Sequence, residues 1–379
     1  MVLIDLNDLT DARLNHRQEP LAFAVQTHSD FVRLKEFWAE RLMVPVLIQD
    51  RSEGLDVSFG GRDSRLLLTG DDSAGRYCIE DVIYAPGWDF PAYHMTEADE
   101  NWLVVDGEVE ITVGNCTETC QAGAFAFIPR ETTCRLRNTS SAPARLFQWS
   151  SPAGFDRAIQ ELAEVHRNDA DPGSATIARL LAKYGIVIHD GDVSLPNDQR
   201  VNAQPGHIPF DSDSLESYMR FREAWAAQPM IPKLVSKPSE GTPFDVLADT
   251  PSWCYLTGDE SAGRSMVGVA ELPPGTFVPA HYQPTEEELF IALDDGLWWR
   301  IGSAEVTTKK GAVAFAPRNG THQFGNPKDS PAWMVTINSP AGHERALANV
   351  RDKDLSSPEQ YVEFFTKWGW VIRVPESAS

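Results

Sequence analysis

The stretch PAHYQPTEEELFIALDDG (residues 279–296) places His281, Gln283 and three consecutive glutamates just ahead of an apolar, strand-like run that ends in a turn. Two imidazoles and a carboxylate suit a divalent Fe, Mn, Ni, Co or Zn ion, and a neutral amide oxygen can complete such a set while lowering the charge donated to it. A second imidazole would have to come from elsewhere in the chain. Taken one at a time, these residues read more readily as polar groups on a barrel rim and a solvated run of acids than as ligands. Which reading holds depends on the elements that carry them.

Those elements occur twice. LTGDDSAGR (68–76) recurs as LTGDESAGR (256–264), and the same offset carries Glu100 onto Glu288, GAFAFIPR (123–130) onto GAVAFAPR (311–318), and SPAGFDRA (151–158) onto SPAGHERA (339–346). The chain is a tandem duplication, with one unit expected over 1–190 and the second over 191–379. The polar, Pro- and Gly-bearing segment 189–213 has linker composition.

Each unit reads as a helix, a β-rich middle and closing helices. Residues 29–42 put Phe31, Leu34, Trp38 and Leu42 on one helical face. In the second unit Asp213 with Glu216 resembles a capping box, and Ser357-Pro358 opens a helix that Gly369 ends. Runs such as NWLVVDG, EVEITVG, AFAFIPR and ARLFQWS, punctuated by Gly, Pro and Asn, have the rhythm of a jelly-roll barrel. Period-two alternation then sets His281 and Gln283 on one face of a strand, with Tyr282 facing away.

Composition narrows the partners. A net charge of −22 disfavours nucleic acid and anionic membrane, leaving a small molecule as the expected partner. The N-terminal sequence lacks the basic region and long apolar core of a signal peptide, and no apolar run approaches a bilayer span. The five cysteines form no CxxC pair and are read as reduced thiols of a cytoplasmic protein. Exposed edge strands carry a weak expectation of a homodimer.

At this point the sequence resembles the cupin family, and its two copies resemble a bicupin: all-β dominated, with two tandem jelly-roll β-barrel domains and flanking α-helices. The family's first motif is G-x5-H-x-H-x3 or x4-E-x6-G and its second G-x5-P-x-G-x2-H-x3-N. Here the first is met by Gly275, His281, Gln283 in place of the second histidine, Glu288, and Gly296 one residue late; the second by Gly311, Pro317, His322 and Asn326, with its middle glycine displaced to Gly320. The resemblance implies that His281, Gln283, Glu288 and His322 bind one divalent metal ion, Fe foremost, with Mn, Ni, Co or Zn as alternatives. Gln283 departs from the family pattern and could instead hydrogen-bond beside a His-Glu-His triad, and Glu287 competes with Glu288 if the strand slips by one residue.

At the matching positions the first copy has Tyr93, Met95 and Cys134, keeping only Glu100; His94 and Thr96 would serve if its register moved by one. Its metal site is therefore expected to be degenerate and the barrel structural, with an emptied cavity for an organic ligand as the alternative. The segments LTGDESAGRSMVGVAELPPG and SPAGHERAL resemble those of quercetinase-like dioxygenases. That resemblance implies an oxygenase acting on a small oxygenated, aromatic or enolisable compound with dioxygen, Glu288 being both ligand and catalytic base. Phe290, Trp298, Arg300, Phe324 and Trp333 are the substrate-binding candidates, with only one of Trp298 and Trp299 able to face inward. A non-redox isomerase, lyase or decarboxylase, and a ligand-binding bicupin without catalysis, are the alternatives.

Overall fold

The computed structural model describes residues 21–189, 200–243, 251–350, 353 and 357–373. The N-terminal residues read above and the proposed boundary near residue 190 lie outside them.

Each unit folds as two antiparallel sheets, one of seven strands and one of five. In the C-terminal unit Glu287–Ala292 lies at the heart of the larger sheet, between Val313–Ala316 and Ala332–Ser339. The smaller sheet orders Ala304–Thr307, Trp298–Ile301, His322–Gly325, Phe277–Tyr282 and Val371–Ile372. Side chains alternate across Glu287–Ala292 with the period-two pleat. Phe290 and Ala292 join the core inside the barrel, whereas Leu289 and Ile291 join a second core that lies between the two large sheets.

The two units exchange strands. Val46–Ile48 of the first half pairs with Val313–Phe315 of the second, and Lys233–Val235 of the second pairs with Phe125–Phe127 of the first. Leu47 thereby enters the interior core of the C-terminal barrel and Leu234 that of the N-terminal barrel. Each such burial stabilises the assembly by about 1.5–3 kcal/mol. Neither barrel is complete from its own half of the chain.

The recurring LTGDxSAGR segment has a packing role in both copies. Gly258 and Gly263 lie against the ring of Trp225, and a Cβ on Gly258 would stand 2.4 Å from that ring. The indole donates to Asp259 at 2.7 Å, as Trp38 donates to Asp71 at 2.9 Å in the first half. The closing arginines, Arg76 and Arg264, each reach an acid of the other half, at 3.9 Å from Glu287 and 3.3 Å from Asp99 respectively.

Several local expectations are corrected. The first helix spans His28–Ala39 with Thr27 as its cap, so Leu42 lies beyond its end and is exposed, while Phe31, Leu34 and Trp38 are buried. The second unit's helix is capped by Ser214 with Ser217, not Asp213 with Glu216, because the serine hydroxyl is the group within reach of the third helical N–H. Ser357 caps the closing helix as the sequence suggests. All five cysteines are free thiols. No helix among the described residues is long and apolar enough to cross a membrane.

Candidate metal centre

His281 sits near the end of Phe277–Tyr282 and is the cross-strand partner of His322, which opens His322–Gly325. This pairing sets the imidazoles of the two strands side by side, with ring centroids 4.3 Å apart and ring planes tilted by 58°. Glu288 projects toward them from the neighbouring sheet. One donor atom each from His281, Glu288 and His322 lies within 4.8 Å of the others, and all three residues are buried.

The tautomers are set from behind. His281 Nδ1 lies 2.8 Å from the Pro279 carbonyl and His322 Nδ1 lies 2.9 Å from that of Gly320. Both Nδ1 atoms must donate, so both Nε2 atoms carry a lone pair. His281 Nε2 is 3.7 Å from Glu288 Oε2, and His322 Nε2 lies in contact with the same oxygen. Neither His322 Nε2 nor Glu288 Oε2 has a hydrogen-bond partner. A buried polar atom left unsatisfied costs about 1–3 kcal/mol. Lone pairs converging from two imidazoles and a carboxylate would be satisfied together by a cation, so the residues present fit a divalent metal.

Burial and the neighbouring His322 both lower the affinity of His281 for a proton. Burial alone would raise the Glu288 carboxyl, but the close approach of His322, His281 and His343 outweighs it and holds Glu288 well below the usual carboxylate range. Both effects favour the forms that bind metal.

The adjacent glutamates are spoken for. Glu287 points out of the barrel to Arg318 at 2.8 Å, and Glu286 accepts from Tyr218 at 2.8 Å beside Arg222. The strand is therefore in the register that turns Glu288 inward, and Glu287 does not compete. Gln283 follows the end of its strand. Its side chain is buried and its Nε2 lacks a partner. That nitrogen is a donor, so a ligand role for Gln283 would run through the amide oxygen.

A chamber of about 260 Å³ opens onto His281 and Glu288. Phe290 and Phe324 line it, their rings 5.0 Å apart, together with Met334, Phe365 and Trp370. Trp298, Arg300 and Trp333 do not. Of the two adjacent tryptophans Trp299 faces inward; Arg300 turns the other way, bonding Gln323 at 3.0 Å. Trp333 lies on the opposite pleat from Met334 and stacks on Trp253 on the face that meets the first half, 5.7 Å between centroids. Alternation explains all three, but the inward parity needed the strand register to fix it.

His343 and Asn338 escaped the sequence reading. Asn338 Nδ2 donates to Glu288 Oε1, and His343 Nδ1 lies 3.1 Å from the same amide and 3.3 Å from that carboxylate oxygen. Burial pushes the His343 imidazole down to about 4, leaving it neutral. Trp370 packs across both His281 and His343, at centroid distances of 5.1 and 4.3 Å. The clue was in the repeat itself: SPAGFDRA has Phe155 where SPAGHERA has His343.

The N-terminal barrel shows the same architecture filled in. Tyr93 stands in place of His281 and donates to Glu100, its hydroxyl 2.9 and 3.0 Å from the two carboxylate oxygens. Tyr84, Trp102 and Gln148 occupy the places of Leu272, Phe290 and Thr336, and a cavity of only about 40 Å³ remains. His94 faces away, 2.8 Å from His189, so the slipped register does not occur.

Two antiparallel double-sheet barrels in one chain, with a His-Glu-His cluster inside the second, define a tandem jelly-roll protein. The Cupin domain family model matches residues 81–149 and 268–338, one match in each barrel. The chain is a bicupin of the cupin superfamily. Among solved structures it is similar to protein Ylba from E. coli (9% identity, TM-score 0.50, covering 81% of this chain and 98% of that one). It is also similar to a mutant of oxalate decarboxylase from Bacillus subtilis (14% identity, TM-score 0.50, covering 89% and 91%). At these identities the likeness is one of fold. Comparison with curated protein sequences gave no match.

Proposed function

We propose that this bicupin is a metal-dependent oxygenase that acts, in its C-terminal barrel, on a small oxygenated compound with a single aromatic ring or an enolisable carbonyl. The observation that carries the reading is the chamber of about 260 Å³ that opens onto His281 and Glu288, whose donor atoms cluster with that of His322. It lies at the small end of ligand pockets, and its walls are almost wholly apolar. No Lys or Arg is among its lining residues. A small dicarboxylate would find no Lys or Arg beside the metal to offset its second charge, whereas a ring presenting one or two oxygens to the metal side would bury its apolar face against Phe290 and Phe324.

A metal bound by His281, Glu288 and His322 would supply Lewis acidity and, if it is iron, electron exchange with dioxygen. The protein's part is positional. The Pro279 and Gly320 carbonyls hold both imidazoles in the binding tautomer, and Trp370, stacked on Phe365, gives the chamber an apolar wall beside His281. Glu288 Oε2 faces the imidazoles. Oε1, held by Asn338, is the oxygen positioned to receive a substrate proton.

The test is metal analysis of protein purified without chelators, with oxygen uptake followed as one-ring phenols and 1,3-diketones are added. About one iron per chain and substrate-dependent uptake are expected. Redox-inert zinc without uptake would move the protein to a lyase or isomerase chemistry, and a metal-free protein to ligand binding. Unchanged metal content in His322→Ala would overturn the ligand set.

A further inference from the structure

His343 lies at the start of the helix His343–Val350, on the chamber wall, and is not among the three clustered donors. Its role follows from which ring nitrogen carries the proton. Asn338 settles this. Its Oδ1 accepts from Thr336 Oγ1 at 3.3 Å, and its Nδ2 faces the Glu288 carboxylate, which fixes the amide orientation. The amide has two hydrogens. One goes to Glu288 Oε1 and the other is directed at His343 Nδ1, 3.1 Å away. His343 Nδ1 is therefore an acceptor, and a neutral imidazole that accepts at Nδ1 carries its proton on Nε2. The 3.3 Å approach of Nδ1 to Glu288 is a contact across this shared amide rather than a third hydrogen bond.

His343 Nε2 has no hydrogen-bond partner among the described residues. The two metal-facing imidazoles have the opposite arrangement, with Nδ1 protonated against backbone carbonyls and Nε2 bare. The centre thus contains two imidazoles prepared to give a lone pair and one prepared to give a proton.

We propose that His343 is a specificity-determining residue: its Nε2–H donates a hydrogen bond to a carbonyl, phenol or enolate oxygen of the ligand in the C-terminal chamber, with Asn338 fixing the donor tautomer. This rests on the same chamber as the oxygenase reading but not on its redox chemistry. The first barrel lacks the device because Phe155 stands at the equivalent position, where its cavity is closed. An isolated donor on an apolar wall discriminates strongly, since a ligand without an acceptor leaves the buried N–H unsatisfied.

The experiment compares binding of acetophenone with that of ethylbenzene, which has the same ring and outline but no acceptor. Binding is measured by titration calorimetry on the full chain, both as purified and after metal removal. Wild type is expected to prefer acetophenone by about five- to tenfold, the worth of one neutral hydrogen bond. The preference should persist without metal, vanish in His343→Phe and survive in part in His343→Gln, with metal content unchanged in both variants. Histidine ¹⁵N spectra should show an imidazole protonated at Nε2 alone whose signal is lost in His343→Phe. Equal preference in wild type and His343→Phe, an Nδ1–H tautomer, loss of metal from His343→Phe, or failure of both compounds to bind would each overturn the proposal. Absence of oxygen uptake would overturn the oxygenase reading and leave this one standing.

Discussion

The hydroxyl of Tyr93 lies 2.9 and 3.0 Å from the two oxygens of Glu100, and His281, which occupies the same place in the other barrel, keeps its Nε2 3.7 Å from Glu288 Oε2. The phenol gives its acid a proton to share, and the imidazole offers its acid only a lone pair. One carboxylate is satisfied within the protein and the other is left to be satisfied by a cation. The two barrels therefore differ in donor chemistry on a common frame, and that difference can be exchanged.

Replacing Tyr93 and Cys134 together by histidine places the C-terminal donor types around Glu100. Metal content measured by mass spectrometry should rise from about one toward about two equivalents per chain, since imidazole and carboxylate donors suit borderline divalent ions. No rise would mean that the packing by Trp102 and Gln148, and not the donor types, keeps the first barrel metal-free.

Gln283→Ala should weaken metal binding by about 10- to 100-fold without abolishing it, the effect typical of a residue that supports the ligands. His322→Ala should abolish it. Chelator competition distinguishes the two, and an equal loss in both variants would make Gln283 a ligand of the same rank.

Glu100 gives a pH dependence of stability that needs no metal. Burial is the main cause that raises its carboxyl to about 7 in the folded chain, from 4.5. The folded state therefore holds this proton more tightly than the unfolded state. Its contribution is fully present below about pH 4.5 and is lost as pH rises through about 7. Glu100→Gln should remove that decline, gaining on the order of 2–3 kcal/mol relative to wild type at pH 8. Denaturant titrations at pH 5 and pH 8 measure it. An unchanged difference between the two pH values would show that Glu100 is ionised in the folded protein.

The strand exchange predicts that residues 200–379 expressed alone will not form a stable barrel. That fragment lacks Val46–Ile48 and uncovers the Leu289, Ile291, Val313 and Phe315 face that packs on the first half. Aggregation on size-exclusion chromatography is expected, with rescue by co-expression of the first half. In the full chain Ile48→Ala, at a fully buried position, should cost about 2–5 kcal/mol. A soluble, metal-binding monomer from the fragment would contradict this account.

What the sequence determined by itself was the duplication, the barrel class and the identity of the clustered donors. The duplication is carried by a constant offset between the copies, and the other two by local periodicity or fixed spacing within one copy. His281, Glu288 and His322 were legible because the motif spacing places them at strand positions facing one interior. Comparison of the copies also held the clue to His343, as the residue that differs from Phe155. Only the tertiary structure decided which pleat of each strand faces inward, and so removed Trp298, Arg300 and Trp333 from the chamber and turned Glu287 onto Arg318. Parity along a strand is the same on paper for either register; pairing with neighbouring strands breaks the tie. The exchange of Val46–Ile48 and Lys233–Val235 was likewise invisible, because a short apolar strand carries no record of which sheet edge it will join. The proton on His343 was decided last and furthest from sequence, by an asparagine five residues away whose two amide hydrogens face different partners.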